Sequence, residues 1–448
     1  MILTRKQEEG LKLAVARYKE GQPWTCIAGY AGTGKSTLIK FIIAALDIMP
    51  DDVCYVAYTG KAAKVLKDKG CPNAMTTHRL LYQSVPRNDG TFYHKIKRPL
   101  DHRYKIIIVD EISMLPKEMW ELLLSHKIHV ICLGDPFQLP PIGEDNGVLA
   151  KPHIFLDEIM RQAEESEIIR LTMSIRDGKP LELFKGNEVQ IIDQKDIIGG
   201  MYGWADQIIV AKNLTRRTIN NQMRKMLFNT EDTAPVEGDR IICLRNDWDH
   251  PSAAGDVAVN GTTGILSNIR LNNNHPILHP MMIADFLPDD YTDADVEFSP
   301  VDLYFRDINM DYKLLTTGEE TVTKENFKTF PKFCRPQTYD YAYAITCHKS
   351  QGSEYNKVLV FEEFLKGSEH ARWLYTAATR AKEKLIVVKY LMDNNLSTAL
   401  KSAGEALLNV SVEAEKLISE LKYLQHEIEK HEKINQGLKT VFDEYYGG

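Results

Sequence analysis

Residues 25–46 read TCIAG, then YAGTGKS, then TLIKFIIAAL: an apolar strand-like run, a glycine-rich loop and an apolar helical run. Gly29 to Ser36 match G-x-x-x-x-G-K-[ST], and the flanks are the strand and helix that this pattern requires. Such a loop turns successive backbone N–H groups toward one point at a helix N-terminus, where they hold phosphate oxygens. Gly29, Ala31, Gly32, Thr33, Gly34, Lys35, Ser36 and Thr37 are the resulting candidates for holding a nucleotide, ATP, with Lys35 neutralising the terminal phosphates and Ser36 offering its hydroxyl to Mg²⁺. A chance glycine turn would not account for the flanking strand and helix.

The same strand-like rhythm recurs at VCYVAYT (53–59), IIIVD (106–110) and HVICLGD (129–135), separated by helix-like stretches, and predicts a parallel α/β sheet. It returns at QIIVA (207–211), KVLVF (357–361) and LIVV (385–388), which predicts a second α/β domain split by a long insertion. Asp110 and Glu111 fall at the carboxyl end of a strand, the edge where parallel sheets bind ligands. Asp110 suits a second contact to Mg²⁺ and Glu111 a base that aligns and deprotonates an attacking water. Without the phosphate loop upstream, an acidic helix cap would explain the pair equally well.

At 448 residues the chain has room for two to four domains, and 44% hydrophobic with 26% charged residues is the balance of an ordinary folded protein. No apolar run approaches the roughly 18 residues of a membrane span, so no membrane association is expected and a cytoplasmic setting follows. Cys26, Cys54, Cys71, Cys132, Cys243, Cys334 and Cys347 form no CxxC pair, which argues against a zinc knuckle or a disulfide framework. The net charge of −7 would weigh against a nucleic-acid partner, yet six acidic residues and no lysine or arginine fall between Asp285 and Glu297. A local basic track elsewhere is compatible with that total.

The long interruption, about 237–337, carries GDRIICL and GTTGIL between turn-rich clusters and predicts a small β-domain. A shorter one, about 83–104, has Asp89-Gly90 flanked by alternating residues, a hairpin signal. Phe92 and Tyr93 follow it and, as successive strand residues, face opposite sides, so either could stack on a base while the other packs the hairpin. Past residue 392 the pattern is helical, with Ala414, Leu417, Leu421, Leu424, Ile428 and Leu438 in a coiled-coil-like seam that leaves a protein partner or self-association open.

GYAGTGKS, AYTGKAAKVL, TTHRLL, VDEISML, GDPFQLPP, CHKSQGSE and YTAATRAK occur in the order found in superfamily 1 helicases, and in detail the set resembles the RecD and Dda group. These motifs lie within residues 7–382. The resemblance implies two RecA-like domains with ATP between them: residues 1–176, with the hairpin as a strand-separating pin, and residues 177–236 with 338–392. It further implies an SH3-like β-barrel at 237–337, followed by the helical segment 393–448. It implies a DNA helicase that moves 5′ to 3′ on single-stranded DNA and opens a duplex fork. A factor that remodels or binds strands without processive unwinding, and an RNA helicase, are the rival readings.

The resemblance also assigns residues. Gln138 would read the γ-phosphate or its water, and Arg380 and Arg161 would reach the γ-phosphate, although Arg161 could instead be a surface ion pair. Gln7 would read the adenine edge, although Thr4 to Gln7 is equally a capping box. Glu354 would lie near the ribose and phosphates. Thr59, Lys61, Thr77, His78, Thr346, His348, Lys349 and Ser350 supply donors suited to a strand's phosphates, none of which reads sequence. Phe137 offers a ring for base stacking or for the core.

Overall fold

In the computed structural model the described residues are 3–71, 73–86, 92–98, 100, 104–140, 144–160, 164–231, 234–244, 261–272, 281–289, 301–305, 313–314, 337–365 and 369–389. The C-terminal seam, the hairpin tip and Arg161 lie outside them.

In the first domain, α1 (Arg5–Lys19) opens on a capping box in which Thr4 accepts from the Gln7 amide and the Gln7 side chain accepts from the Thr4 N–H. There follow β1 (Trp24–Gly29), α2 (Lys35–Ala45), β2 (Val53–Ala57), α3 (Gly60–Asp68), β3 (Ala74–Thr76) and α4 (Thr77–Leu81). The hairpin β4 (Tyr82–Pro86) and β5 (Phe92–Ile96) comes next, then β6 (Ile106–Val109), α5 (Lys117–Leu124), β7 (His129–Gly134) and β8 (Ile154–Leu156). The sheet order is β3-β2-β6-β7-β1-β8, all pairs parallel. β6 and β7 are buried throughout, which is why they read as nearly unbroken apolar runs.

The second domain comprises α6 (Glu167–Arg176), β9 (Phe184–Lys185), β10 (Val189–Asp193), α7 (Gly200–Trp204), β11 (Gln207–Val210) and α8 (Asn213–Phe228). Between them and the rest of its sheet lie β12 (Arg240–Cys243), β13 (Thr263–Asn272), β14 (Met281–Pro288), β15 (Val301–Phe305), β16 (Lys313–Leu314) and β17 (Gln337–Tyr341). The chain then returns through β18 (Ala344–Thr346), α9 (Cys347–Ser350), β19 (Tyr355–Phe361), α10 (Glu369–Ala378) and β20 (Ala381–Lys389). The second sheet runs β18-β11-β19-β20-β10-β9 and is parallel except for β9. Strands 12, 13, 14, 15 and 17 pair in a closed ring, with β15 and β17 parallel and the other pairs antiparallel.

Two expected boundaries move. Ile168, Thr172 and Ile175 form the buried face of α6, and the two isoleucines pack with Trp373 and Leu374 of α10, so this helix belongs to the second domain although it precedes residue 177. The inserted ring likewise runs on to Tyr341, past residue 337, because β17 is one of its staves. Its core is continuous with that of the second sheet: Ile241, Leu266, Phe286 and Tyr339 share one cluster with Ile208, Val210 and Leu359.

Buried charges fasten this junction. Arg224 on α8 donates from Nε to both oxygens of Asp239, at 3.0 and 3.1 Å, and lies 4.1 Å over the Tyr341 ring. Asp239 also accepts from the Tyr343 hydroxyl at 2.9 Å and the Val236 N–H at 2.8 Å. Arg216 reaches Asp340 at 2.7 Å. Removing one member of a buried pair strands the other, so Asp239→Ala should lower stability by about 3 to 5 kcal/mol in urea denaturation followed by tryptophan fluorescence. Lys117→Ala, at the exposed pair with Glu144, should leave the midpoint unchanged.

Candidate nucleotide site between the two domains

β1, β6 and β7 are adjacent and parallel, so the loops that follow them meet at one edge of the first sheet. These are the phosphate loop, Asp110-Glu111 and the segment Asp135 to Leu139. In the phosphate loop Gly32 and Gly34 have φ of 77° and 76°, and Gly34 caps α2. A side chain there would be strained, and a Cβ on Gly34 would stand 2.6 Å from Gln7 Nε2. Lys35 Nζ donates to the carbonyls of Gly29 and Tyr30, at 2.7 and 2.9 Å, and the Thr33 hydroxyl donates to Tyr30 at 2.8 Å.

Asp110 Oδ1 accepts from the Glu111 N–H at 3.0 Å. Glu111 itself has a φ of 52°, a left-handed conformation that costs a non-glycine residue about 1 to 3 kcal/mol and that concentrates at functional sites. Burial pushes both carboxyl pKa values above their ordinary range; for Glu111 the nearby Arg380 opposes this and for Asp110 the nearby Lys35 does.

The facing wall is α10 with the loops around Gln351 and Arg380. With its amide nitrogen toward Glu111, Gln138 donates to Glu111 Oε2 at 3.3 Å and accepts from Arg380 Nη2 at 3.2 Å. Arg380, 4% exposed, is aimed by its own bonds to the carbonyls of Thr376 at 3.1 Å and Ser353 at 3.3 Å. Leu139 is gripped from both sides, its N–H by the Thr376 hydroxyl at 2.9 Å and its carbonyl by Gln351 Nε2 at 2.8 Å. Arg372 donates to Pro136 O at 2.6 Å. The Tyr375 hydroxyl donates to Asp135 Oδ2 at 2.6 Å and accepts from the Ala31 N–H at 3.0 Å. Glu354 lies between Lys69 of the first domain, at 3.4 Å, and Lys382, at 3.5 Å; burial works against its charge, but the two lysines hold its pKa below the ordinary value.

The structure thus gathers Lys35, Asp110, Glu111, Gln138, Glu354 and Arg380 around one cleft. Several other candidates are set against groups of the chain itself. Gln7 is 1% exposed, and its side-chain amide accepts from the Thr4 N–H and donates to the Thr33 carbonyl at 3.2 Å, so it ties the helix cap to the phosphate loop. Thr77 and Ser350 are fully buried, with hydroxyls donating to Ala57 O and Cys347 O. Phe137 packs edge-to-face on Tyr375, ring centres 5.1 Å apart, which commits its ring to the contact between the domains. Lys61 Nζ lies 4.1 Å over the Tyr355 ring, again across the cleft.

The half-buried set that remains includes His78, between the rings of Tyr58 and Tyr82, and His348, which burial keeps toward its neutral form. Thr346 and Lys349 line a small pocket with Asn213, Arg216 and Asp340. The Thr59 hydroxyl accepts from the Ala62 N–H at 3.2 Å as the cap of α3, keeping its own hydrogen to donate. Gly352 comes so close to this cap that a Cβ would lie 3.0 Å from Thr59 Oγ1 and 3.1 Å from Ala62 Cβ. Asp135, Gln351, Arg372, Tyr375 and Thr376 are site residues that the sequence reading passed over. Four of them stand inside or beside quoted motifs, which was the available signal.

A phosphate loop, two strand-end carboxylates and an arginine presented from a second parallel sheet are the parts of a P-loop nucleotide-binding architecture with a two-domain cleft. Residues 3–199 match the family described as AAA domain, and residues 341–388 match the UvrD-like helicase C-terminal domain. The ATP-dependent DNA helicase dda of Enterobacteria phage T4 is 29% identical over 51% of this chain and 58% of its own length. The ATP-dependent RecD2 DNA helicase of Deinococcus radiodurans is 31% identical over 39% and 25%. An uncharacterized protein of Methanocaldococcus jannaschii is 25% identical over 86% and 39%. The chain therefore spans between a quarter and three fifths of the length of these relatives. A Pif1 helicase of Bacteroides, solved with ADP-AlF3 and single-stranded DNA, aligns over 91% of this chain and 98% of its own at 18% identity and a TM-score of 0.46. In these stretches the chain is similar to superfamily 1 helicases, the Dda and RecD2 enzymes among them. Among the described residues no helix is long and apolar enough to cross a membrane.

The raised Glu111 pKa has a measurable consequence. A carboxyl favoured in its protonated form by the fold contributes stability below the ordinary glutamate value of 4.5, and that contribution is lost as pH rises through the higher folded value. Glu111→Gln should therefore raise the melting temperature at pH 7.5, and the gain should shrink toward zero below about pH 4. A gain that persists unchanged at acid pH would point to relief of some other strain.

Proposed function

We propose that the chain hydrolyses ATP in the cleft between its two domains and uses the cycle to move 5′ to 3′ along single-stranded DNA, opening duplex DNA at a fork. The observation that carries this reading is the chain Arg380–Gln138–Glu111, which joins the water-activating carboxylate of one domain to the arginine of the other. An arginine so placed can respond only when both domains attend the same phosphate, and such arginines contribute about 10³ to 10⁵ in rate. Hydrolysis is thereby tied to cleft geometry, and cleft geometry to the alternate grip of two domains on a strand. The relatives named as ATP-dependent DNA helicases support DNA as the track.

Mg²⁺ fits the donor set. The Ser36 hydroxyl in the first turn of α2 and the Asp110 carboxylate at the end of β6 are hard oxygens, which, completed by phosphate and water, are what that ion takes. The ion would polarise the terminal phosphate and neutralise charge developing on it. Lys35, now on the loop carbonyls, would turn to the terminal phosphates, and Glu111 would take the proton of the attacking water. Glu354 would lie toward the ribose and phosphates, and Arg161 would supply the second arginine. His78, Thr346, His348 and Lys349 would follow the strand's phosphates, the ring of strands 12 to 17 would be SH3-like, and the hairpin would part the duplex.

Lys35→Ala and Glu111→Gln should each abolish strand-stimulated ATP hydrolysis while single-strand binding survives. Near wild-type turnover in both variants would remove the catalytic assignment. Strand displacement with matched 5′ and 3′ overhangs of DNA and RNA checks polarity and substrate together; unwinding only from an RNA overhang would overturn the DNA reading.

The hairpin makes a separate prediction. Phe92→Ala and Tyr93→Ala, scored one at a time, should include one variant that loses duplex unwinding but retains strand-stimulated ATPase and displacement of streptavidin from single strands. An aromatic platform is worth about 1 to 3 kcal/mol per base, comparable to the roughly 1.4 kcal/mol of one stacking step. Normal unwinding by both variants would dismiss the pin.

A further inference from the structure

Two successive residues of the phosphate loop are held by the second domain. Arg176 of α6 places its guanidinium 4.1 Å over the Tyr30 ring. The next residue, Ala31, packs against the second domain's core and gives its N–H to the Tyr375 hydroxyl at 3.0 Å. That hydroxyl spends its single proton on Asp135 Oδ2 at 2.6 Å, and Asp135 is 1% exposed. Burial, then the adjacent Asp135, push the phenol pKa far up, so the proton stays in place. Phe137 clamps the ring from its edge. A hydroxyl on a rigid ring, accepting from one group and donating to another, joins three chain segments at once; serine or threonine on α10 would be too short to do so.

Amides of a glycine-rich loop are the groups that phosphate oxygens engage. The Ala31 N–H is already engaged by α10, five residues before Arg380. We infer that Tyr375 is a positioning residue of the ATPase, through which phosphate-loop occupancy and the placement of Arg380 become a single event. A phosphate that draws on the Ala31 amide loosens Tyr375, and with it the helix that leads into Arg380 and, through Asp135, the loop that carries Gln138. The inference rests on the ATP-hydrolysing function proposed above and adds to it a second link across the cleft, made through the Tyr375 hydroxyl.

The test uses the full chain and Tyr375→Phe, which removes the hydroxyl and keeps the ring. Steady-state ATPase is measured against ATP concentration with and without oligo-deoxythymidine, and a fluorescent non-hydrolysable ATP analogue reports binding. The expected result is a kcat about tenfold lower, corresponding to roughly 1.4 kcal/mol, with KM and analogue affinity unchanged or tighter because the Ala31 amide is released. Phe137→Leu, which disturbs the packing but leaves the hydroxyl, should not reproduce this split. Hydrogen exchange gives a reading free of turnover. In the variant, the peptide spanning 29–36 should exchange faster without nucleotide, and in the wild type the analogue should change exchange in the peptide spanning 369–380. A kcat within twofold of wild type, a parallel loss of kcat and analogue affinity, or wild-type 369–380 exchange that ignores the analogue overturns the inference. A wild-type ATPase indifferent to DNA would instead count against the proposed function, while the kcat and KM split without DNA still tests Tyr375.

Discussion

Leu139 leaves the first sheet and buries its side chain in the core of the second domain, among Ile345, Cys347 and Leu374. Burying a leucine contributes about 1.5 to 3 kcal/mol, and the hydrogen bonds flanking it add about 0.5 to 1.5 kcal/mol each. The segment Asp135 to Leu139 is stitched to the second domain in this way, by Arg372, Tyr375 and Thr376 of α10 and by Gln351. Gln138 can meet Arg380 because its neighbour is anchored. The sum is large enough to give the cleft a defined geometry, yet each bond is weak enough for a nucleotide with different affinities for two arrangements to shift the balance.

The second domain and its inserted ring behave differently from that adjustable cleft. β17 and β18 are separated by two residues, Ala342 and Tyr343, so the last stave of the ring delivers the chain directly into the sheet. Tyr343 is itself hydrogen-bonded to Asp239 at the root of the first stave. With a shared apolar core and two buried ion pairs, the root of the ring is an extension of the second domain. Glu363 adds a further brace, accepting from the Ala211 and Lys212 N–H groups and the Thr215 hydroxyl at the start of α8.

Much of this was legible in the sequence for a physical reason. Strands buried on both faces are apolar along nearly all of their length, so Ile106–Val109 and the run from Val130 to Gly134 announced themselves, and the phosphate loop is a local motif whose flanks can be checked by eye. What the sequence could not convey was direction and distance. Thr77 and Ser350 stand in the motifs as expected, but motif membership does not say whether a hydroxyl faces the cleft or the chain's own carbonyls. Tyr375 acts on groups 240 and 344 residues away, a relation carried by no local pattern. An amphipathic helix such as α6 shows that it needs a partner without naming which sheet provides it, and the boundary at residue 176 failed for that reason.

The close approach at Gly352 bears on how near the two domains can come. With its φ of 72° and no side chain, it brings the backbone of the second domain against the cap of α3 until a methyl group would touch Thr59 and Ala62. At that point the missing side chain sets how closely the two domains approach, and any larger residue would hold the second domain off the cap of α3.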